Sequence, residues 1–259
     1  MKVIVCIKQV PDAKDVRLDP VTNTLAREGV QSIMNPFDRH ALEEAVRLKE
    51  KYGGTVTAVS MGPPQAGAVL QEAVACGADD AVLVSDRAFA GADTWATSYT
   101  LAMAVRKLGA FDLIICGKQA VDGDTAQVGP GLARQLAIPY VTCARKVTAL
   151  TDGVLRLERL TDEGYDELEM PLPALLTVVK EINEPRVPSL KGKMKAKKMT
   201  ITTLTAAQIG AAADRIGLAG SPTQVVRVFS PPARGERTIL TGSLAEQIDQ
   251  LLEKLEFFR

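Results

Sequence analysis

Four short runs of aliphatic and β-branched residues, Lys2–Ile7, Gly54–Ser60, Ala81–Ser85 and Phe111–Cys116, each lead toward a segment with helical spacing, and this alternation constrains the chain more than anything else in it. A strand that is apolar along its whole length, rather than at every second position, is covered on both faces. The expected fold is therefore α/β, a doubly wound, mostly parallel sheet with helices on both faces and right-handed crossovers. In such sheets ligands bind beyond the carboxyl ends of the strands, where the strand order reverses. Those ends are Lys8-Gln9, Met61-Gly62-Pro63, Ser85-Asp86 and Gly117-Lys118-Gln119, all polar or glycine-bearing.

The fourth run continues into Gly117-Lys-Gln-Ala-Val-Asp-Gly-Asp-Thr-Ala-Gln-Val-Gly-Pro130, a strand-to-helix turn with its helix expected over Thr125–Leu136. Asp122 or Asp124 can cap that helix, and Gly123 and Gly129 let backbone approach a ligand where a Cβ would intrude. Free N–H groups at the helix start, with the positive end of its dipole, make a site for a phosphate or pyrophosphate. An ordinary capped turn fits this stretch taken alone. The three other polar strand ends favour the anion site.

Elsewhere, Val16–Gly29 alternates around Asp-Pro and Thr-Asn and suggests a β-hairpin that delays the first crossover helix. That helix has Asn35 as N-cap, Pro36 at its first position and Asp38 in its first turn. Phe37, Ala41, Leu42, Ala45 and Leu48 form its apolar face, and Arg39, Glu43, Glu44, Arg47 and Lys49 its polar one. His40 reads as surface or cap-proximal. A small-residue helix is expected over Gln65–Cys76, and another over Thr94–Leu108 with Trp95, Tyr99, Leu101, Ala102 and Val105 largely inward.

From Pro139 the texture changes. Val141–Ala144, Lys146–Leu150, Val154–Arg159 and Asp166–Met170 read as short antiparallel strands, a small β addition, and Pro173–Val179 returns as a buried strand that closes the core by about Ile182. Residues 1–182 are thus expected to form the nucleotide-binding domain and 183–259 a C-terminal extension arm for partner docking. In the arm, Lys191–Lys198 holds five lysines in eight residues. Such a run is a solvated face, a docking surface for an acidic protein, or a nucleic-acid patch. Thr205–Gly210 suggests a capped helical turn, Gly220–Val225 a turn opening onto a strand-like run, and Leu244–Leu255 an amphipathic helix whose apolar residues want a partner surface.

The totals exclude several classes. Basic and acidic residues balance at 31 each and aromatics are 4%, so neither bulk charge nor stacking platforms point to nucleic acid. Cys6, Cys76, Cys116 and Cys143 are widely spaced, without metal-ligand spacing, and suit a reduced compartment. A single histidine argues against most zinc and Ser-His-Asp chemistry. No run approaches the ~20 apolar residues of a membrane span, and the start of the chain is too short an apolar run for a signal peptide, so a cytoplasmic protein is expected.

Val5-Cys-Ile-Lys-Gln-Val-Pro11, Met34-Asn-Pro-Phe-Asp38, Val59-Ser-Met-Gly-Pro63, Gly117-Lys-Gln-Ala120, Asn183-Glu-Pro-Arg186 and Met194-Lys-Ala-Lys-Lys198 resemble motifs of the beta subunit of electron-transfer flavoproteins over essentially the full chain. Arg159–Thr177 is similar to the family signature, with Asp166 where Glu or Gln is expected. The resemblance implies a Rossmann-like, adenine-nucleotide alpha-hydrolase-like fold and pairing with an alpha subunit that carries FAD. The ordinary branch of the family holds AMP in the crevice located above; the electron-bifurcating branch holds a second FAD there. Asp122–Gly129, Ser85–Thr94 and Gly220–Val225 are similar to the bifurcating branch.

By this resemblance Cys6, Asn35, Asp38, Met61 and Gly117 through Val128 line the adenine-nucleotide pocket. Backbone at Cys6 and Met61 would face adenine, Asn35 and Asp38 would bind sugar or base, Asp122 would line the pocket, and Gly123, Asp124, Thr125, Ala126, Gln127 and Val128 would cradle the phosphates. Asp93, Thr94 and Thr97 would lie toward the rest of the flavin, with Arg87 a candidate charge near it, although Asp93 is on structural grounds simply an N-cap. Leu190 would anchor a partner dehydrogenase, with Lys191, Lys193 and Lys195 steering its acidic surface. The implied activity is a relay: NADH reduces the FAD held here, and electrons pass to the alpha-subunit FAD, thence to an acyl-CoA dehydrogenase-like partner, and to ferredoxin or flavodoxin. No side chain need act as acid or base. A conventional AMP-binding carrier without NADH chemistry is the alternative. A stand-alone ATP-binding protein is a third reading, from fold alone.

Overall fold

The computed structural model describes residues 1–12, 17–18, 25–26, 32–226 and 238–256. The chain begins with β1 (Lys2–Cys6), β2 (Gln9–Pro11), β3 (Arg17–Leu18), β4 (Leu25–Ala26) and β5 (Ser32–Met34), then α1 (Pro36–Tyr52). β6 (Thr55–Met61), α2 (Gly67–Ala75), β7 (Asp80–Val84), α3 (Thr94–Leu108), β8 (Leu113–Gly117) and α4 (Val128–Leu136) continue the alternation. β9 (Tyr140–Thr151), β10 (Val154–Leu160), β11 (Tyr165–Pro171) and β12 (Ala174–Val178) follow, and then α5 (Leu190–Lys198), β13 (Thr202–Leu204), α6 (Ala206–Ile209) and α7 (Leu244–Glu256).

Among the described residues one sheet has the order β11-β10-β9-β12-β8-β1-β6-β7-β13. Every neighbouring pair from β9 through β12 to β13 is parallel, and β10 and β11 add antiparallel strands at one end. The alternating side chains of β1 and of Ile7 just after it divide between two cores: Val3, Val5 and Ile7 pack with α1 and α2, while Ile4 and Cys6 pack with α3 and α4. The fold is thus the doubly wound α/β arrangement expected. Because β6 and β7 extend the sheet to one side of β1 and β8 to the other, the order reverses between β1 and β8. That reversal opens the crevice.

Several local expectations hold. β3 pairs antiparallel with β4, Arg17 opposite Ala26 and Leu18 opposite Leu25, as a hairpin should. Thr205 caps α6 through a reciprocal capping box with Gln208. Residues Gly220–Val226 form no strand, and the rest of the run expected there lies outside the described residues.

Others are corrected. The core does not close at Ile182: β13 pairs with β7 at the far edge of the sheet, and Leu204, Ile209 and Ile216 are buried with α3. Two strands expected at 141–150 are one, β9, in which Cys143 takes a positive φ of 56° where the strand passes from a parallel neighbour to an antiparallel one. Part of the polar face of α1 is covered, while Arg39 and Arg47 stay exposed: Glu43 is 4% exposed, because Arg186 lies over it with Nε donating to Glu43 Oε2 at 2.7 Å. Burial pushes the Glu43 carboxyl up, and the bonds from Arg186 and Arg47 more than offset this, leaving it below the usual carboxylate range. Asn183 Nδ2 likewise donates to the buried Glu44 at 3.1 Å. His40 is half-buried, its Nδ1 2.9 Å from the Asn183 carbonyl.

The lysine run is the helix α5, capped by the Ser189 hydroxyl, which accepts from Gly192 N at 3.0 Å. Gly192 lies so close to α2 that a Cβ would sit 2.0 Å from the Ala75 carbonyl oxygen. Among the described residues no helix is long and apolar enough to cross a membrane.

Candidate functional site

The crevice is built first from two side chains of the α1 start. Asp38 accepts from Lys8 N at 2.8 Å on one oxygen and from Gly117 N at 3.1 Å on the other, so it joins the tips of β1 and β8 across the strand reversal. Asn35 caps nothing with its side chain. Its Nδ2 donates to Gln119 O at 2.8 Å and its Oδ1 accepts from Val121 N at 3.1 Å, fixing the loop after β8. Asn35 is 0% and Asp38 6% exposed, so both face into the protein and shape the crevice through the backbone they hold. Burial lifts the Asp38 carboxyl to about 7, against the lowering effect of its hydrogen bonds from Asn35, Lys8 and Gly117. Beneath them Cys6 and Cys116 are register partners on β1 and β8, both free and buried. Their mutual hydrogen bond, with burial, pushes the Cys116 thiol up.

The loop after β8 departs from the cap expected there. α4 begins at Val128, and neither Asp122 nor Asp124 caps it. Lys8 Nζ donates to both Asp122 oxygens at 2.8 Å, and Gln119 Nε2 donates to Asp124. Asp124 and Ala126 take positive φ values of 53° and 54°, while Gln127 is right-handed at φ −101°. A positive-φ residue followed by a right-handed one, as at Ala126-Gln127, turns neighbouring N–H groups to one side, the geometry of an anion nest. No described residue accepts from the N–H groups of Thr125, Ala126, Gln127, Val128 and Gly129. Gly123 has no atom within 4 Å of where a Cβ would stand, whereas a Cβ on Gly129 would lie 2.4 Å from Thr177 Cγ2. Gly123 therefore fits open approach, and Gly129 serves packing on β12 instead.

Lys8, which pairs with Asp122, also lines a cavity of about 230 Å³ at the ends of β1 and β6, with Gln9, Pro11, Met61 and Pro63 among its other residues. Through Gln127 the loop also meets the start of α3. Thr94 Oγ1 donates to Gln127 Oε1 at 2.8 Å, and Asp93 caps α3 by accepting from Trp95 N at 2.9 Å and Ala96 N at 3.0 Å. Thr97 N donates to the Asp93 carbonyl at 2.9 Å in the same turn. Trp95, expected inward, is 48% exposed in the first turn of α3. Arg87 is also exposed, in the turn before α3.

Within the Gly220–Val225 stretch, the residues that the sequence did not single out are Ser221 and Thr223. Thr223 donates to Asp93 Oδ2 through Oγ1 at 2.9 Å and N at 3.1 Å. The Ser85–Thr94, Asp122–Gly129 and Gly220–Val225 stretches are therefore one connected rim. Leu190 lies elsewhere, at the start of α5 and 77% exposed; Lys191 and Lys193 are exposed beside it, while Lys195 Nζ donates to Ala78 O at 2.9 Å.

The family model described as the electron transfer flavoprotein domain matches residues 22–209. The chain is 51% identical over 256 residues to the electron transfer flavoprotein subunit beta of Thermoanaerobacterium thermosaccharolyticum, covering 98% of each chain. The chain belongs to the electron transfer flavoprotein family. Within it the chain is of the beta-subunit type, which implies flavin or nucleotide binding and an alpha-subunit partner. It is also 47% identical to the caffeyl-CoA reductase-Etf complex subunit CarD of Acetobacterium woodii, over 99% of this chain and 98% of that one. To the protein FixA of Azotobacter vinelandii it is 46% identical, over 94% and 89%. The Arg159–Thr177 stretch runs from the end of β10 through β11 into β12, and Asp166 pairs with Arg159 at 2.5 Å. A shorter Asp there keeps the cross-strand ion pair.

Proposed function

We propose that this beta subunit holds FAD in the crevice and works in an electron-bifurcating complex. The observation that carries this reading is the position of the nest. It is tied by Asp122 to Lys8, a residue of the cavity at the ends of β1 and β6, and by Gln127 to Thr94 at the start of α3. A dinucleotide asks for such a layout: a base pocket, a diphosphate cradle in the middle, and a further wall for the second half. Met61 and Lys8 border the space for adenine, the N–H groups of Thr125–Gly129 cradle the diphosphate, and Thr94 and Thr97 border the far half. Ion pairing with Lys8 blunts the repulsion that Asp122 would exert on phosphates.

Held by Lys8, Met61, Thr94, Thr97 and the N–H groups of Thr125–Gly129, bound FAD would supply the redox chemistry, acceptance of hydride from NADH and one-electron release toward the alpha-subunit FAD and toward ferredoxin or flavodoxin. The chain's own residues bind and orient, and none is needed to move a proton. A relative named for a caffeyl-CoA reductase complex supports an acyl-CoA dehydrogenase-like partner, met at Leu190 with Lys191 and Lys193 around it. Counting flavin in the purified heterodimer tests the reading. Two FAD per heterodimer, bleached by NADH, is the expected result; one FAD with AMP, unbleached by NADH, identifies a conventional carrier and overturns it.

A further inference from the structure

The turn at residues 217–223 has no part in the nucleotide contacts proposed above, yet it is locked onto the crevice rim. Leu218 N donates to Ala90 O at 3.0 Å, and Ser221 Oγ donates to Gly217 O at 2.7 Å. A Cβ on Gly217 would stand 2.1 Å from the Ala88 carbonyl oxygen, and one on Gly220 would stand 2.1 Å from the Arg215 carbonyl carbon, so neither position admits a side chain without a shift of backbone. The turn ends on Asp93. Asp93 N donates to Ser221 Oγ at 2.8 Å, and Thr223 supplies two donors to Asp93 Oδ2, at 2.9 and 3.1 Å.

The other oxygen of Asp93 already accepts from Trp95 N and Ala96 N. Each carboxylate oxygen thus serves two donors, which leaves none of its strong acceptor directions for a ligand. The residue acts through what it holds. Its chain neighbour Thr94 reaches Gln127 at 2.8 Å, and Gln127 contributes one of the free N–H groups of the nest.

We propose that Asp93 is a positioning residue for the nucleotide nest, fixed by Thr223 as a latch and acting on the nest through Thr94 and Gln127. This rests on the nucleotide reading of the crevice. Latching removes freedom that the rim would otherwise have, so a nucleotide meets a preformed cradle and loses less affinity to ordering it. Asp93→Asn separates the latch from the cap. One amide oxygen keeps the two N–H groups of α3, and the amide nitrogen then opposes Thr223 N, donor against donor.

The test uses the alpha–beta heterodimer stripped of nucleotide and titrated with FAD and, separately, with AMP. Thr223→Val and Asp93→Asn should each weaken whichever nucleotide binds by about five- to fifty-fold, and Thr223→Ser should restore it. Thr94→Val should weaken it comparably, and the Thr94→Val/Thr223→Val double variant should be no more than about two-fold worse than the weaker single one. Thr223→Val with lowered Tm but unchanged affinity makes the latch a mere fold tie and overturns the proposal; so do effects that multiply in the double variant. If AMP binds and FAD does not, the FAD reading falls while the Thr223 effect on AMP still decides the latch. Binding of neither overturns both.

Discussion

Asp38 and Gly117 approach so closely that a Cβ on Gly117 would lie 2.4 Å from Asp38 Oδ1, where the Gly117 N–H now donates at 3.1 Å. The same Cβ would stand 2.7 Å from Phe37 Cβ. Gly117→Ala should therefore force the β8 tip away from α1 and cost about 1–3 kcal/mol. Gly123→Ala is the matched control, since open space surrounds it, and should stay within about 0.5 kcal/mol of wild type. Urea midpoints of the two variants check this; equal midpoints would contradict the close approach.

Asp38 also sets a pH dependence. Its carboxyl is raised from an ordinary 3.8 to about 7, mainly by burial, so between those values the folded chain binds more protons than the unfolded one. Its contribution is complete below about 3.8 and is lost as pH rises through about 7, with a slope of at most about 1.4 kcal/mol per pH unit. The groups facing it are Lys8 from the β1 end and Cys116 from β8. Denaturation of wild type and Asp38→Asn across pH 4.5–8 should give a flatter profile for the variant; parallel profiles would assign the titration elsewhere.

Lys8 and Asp122 pair at 2.8 Å with side chains 48% and 32% exposed, so the pair itself adds only about 0–1 kcal/mol to stability. Its effect on a bound anion is larger. Lys8→Met leaves Asp122 uncompensated beside the nest and should weaken nucleotide about three- to tenfold at low ionic strength, less as salt rises. Lys8→Met/Asp122→Asn should recover most of the loss. Titrations at two salt concentrations decide it: a loss that ignores salt would mean a shape effect, not a charge effect.

The legible parts of this chain were those set by local composition. Uninterrupted apolar runs announced buried parallel strands, and Pro36 after Asn35 announced α1. The rest depends on residues far apart in sequence. Asp122-Gly-Asp looks like a helix cap, but Asn35 and Lys8, 86 and 114 residues away, hold the loop in left-handed steps and delay α4 to Val128. Glu43 and Glu44 have the spacing of a solvent face, and only the arrival of Arg186 and Asn183, more than 130 residues on, buries them. Thr223 meets Asp93 across 130 residues, a pairing that no periodicity encodes.

Ala126 carries the test of the nest itself. Its φ of 54° is a conformation that costs an L-residue roughly 1–2 kcal/mol, and the loop holds it there. Glycine adopts it freely, so Ala126→Gly should leave nucleotide affinity within about two-fold and raise stability by up to about 1 kcal/mol, less what the freer unfolded chain takes back. Valine resists it most, since a β-branched side chain at positive φ is a genuine outlier. Ala126→Val should turn this peptide out of the concavity and weaken nucleotide more than tenfold. Because Ala126 is only half-buried in a loop, Tm should move by no more than about 2 °C. Isothermal titration with FAD and AMP, set beside the melting curves, reads both effects. Wild-type affinity in Ala126→Val would remove the nest from the binding site, since its alternating hand is what gathers those N–H groups.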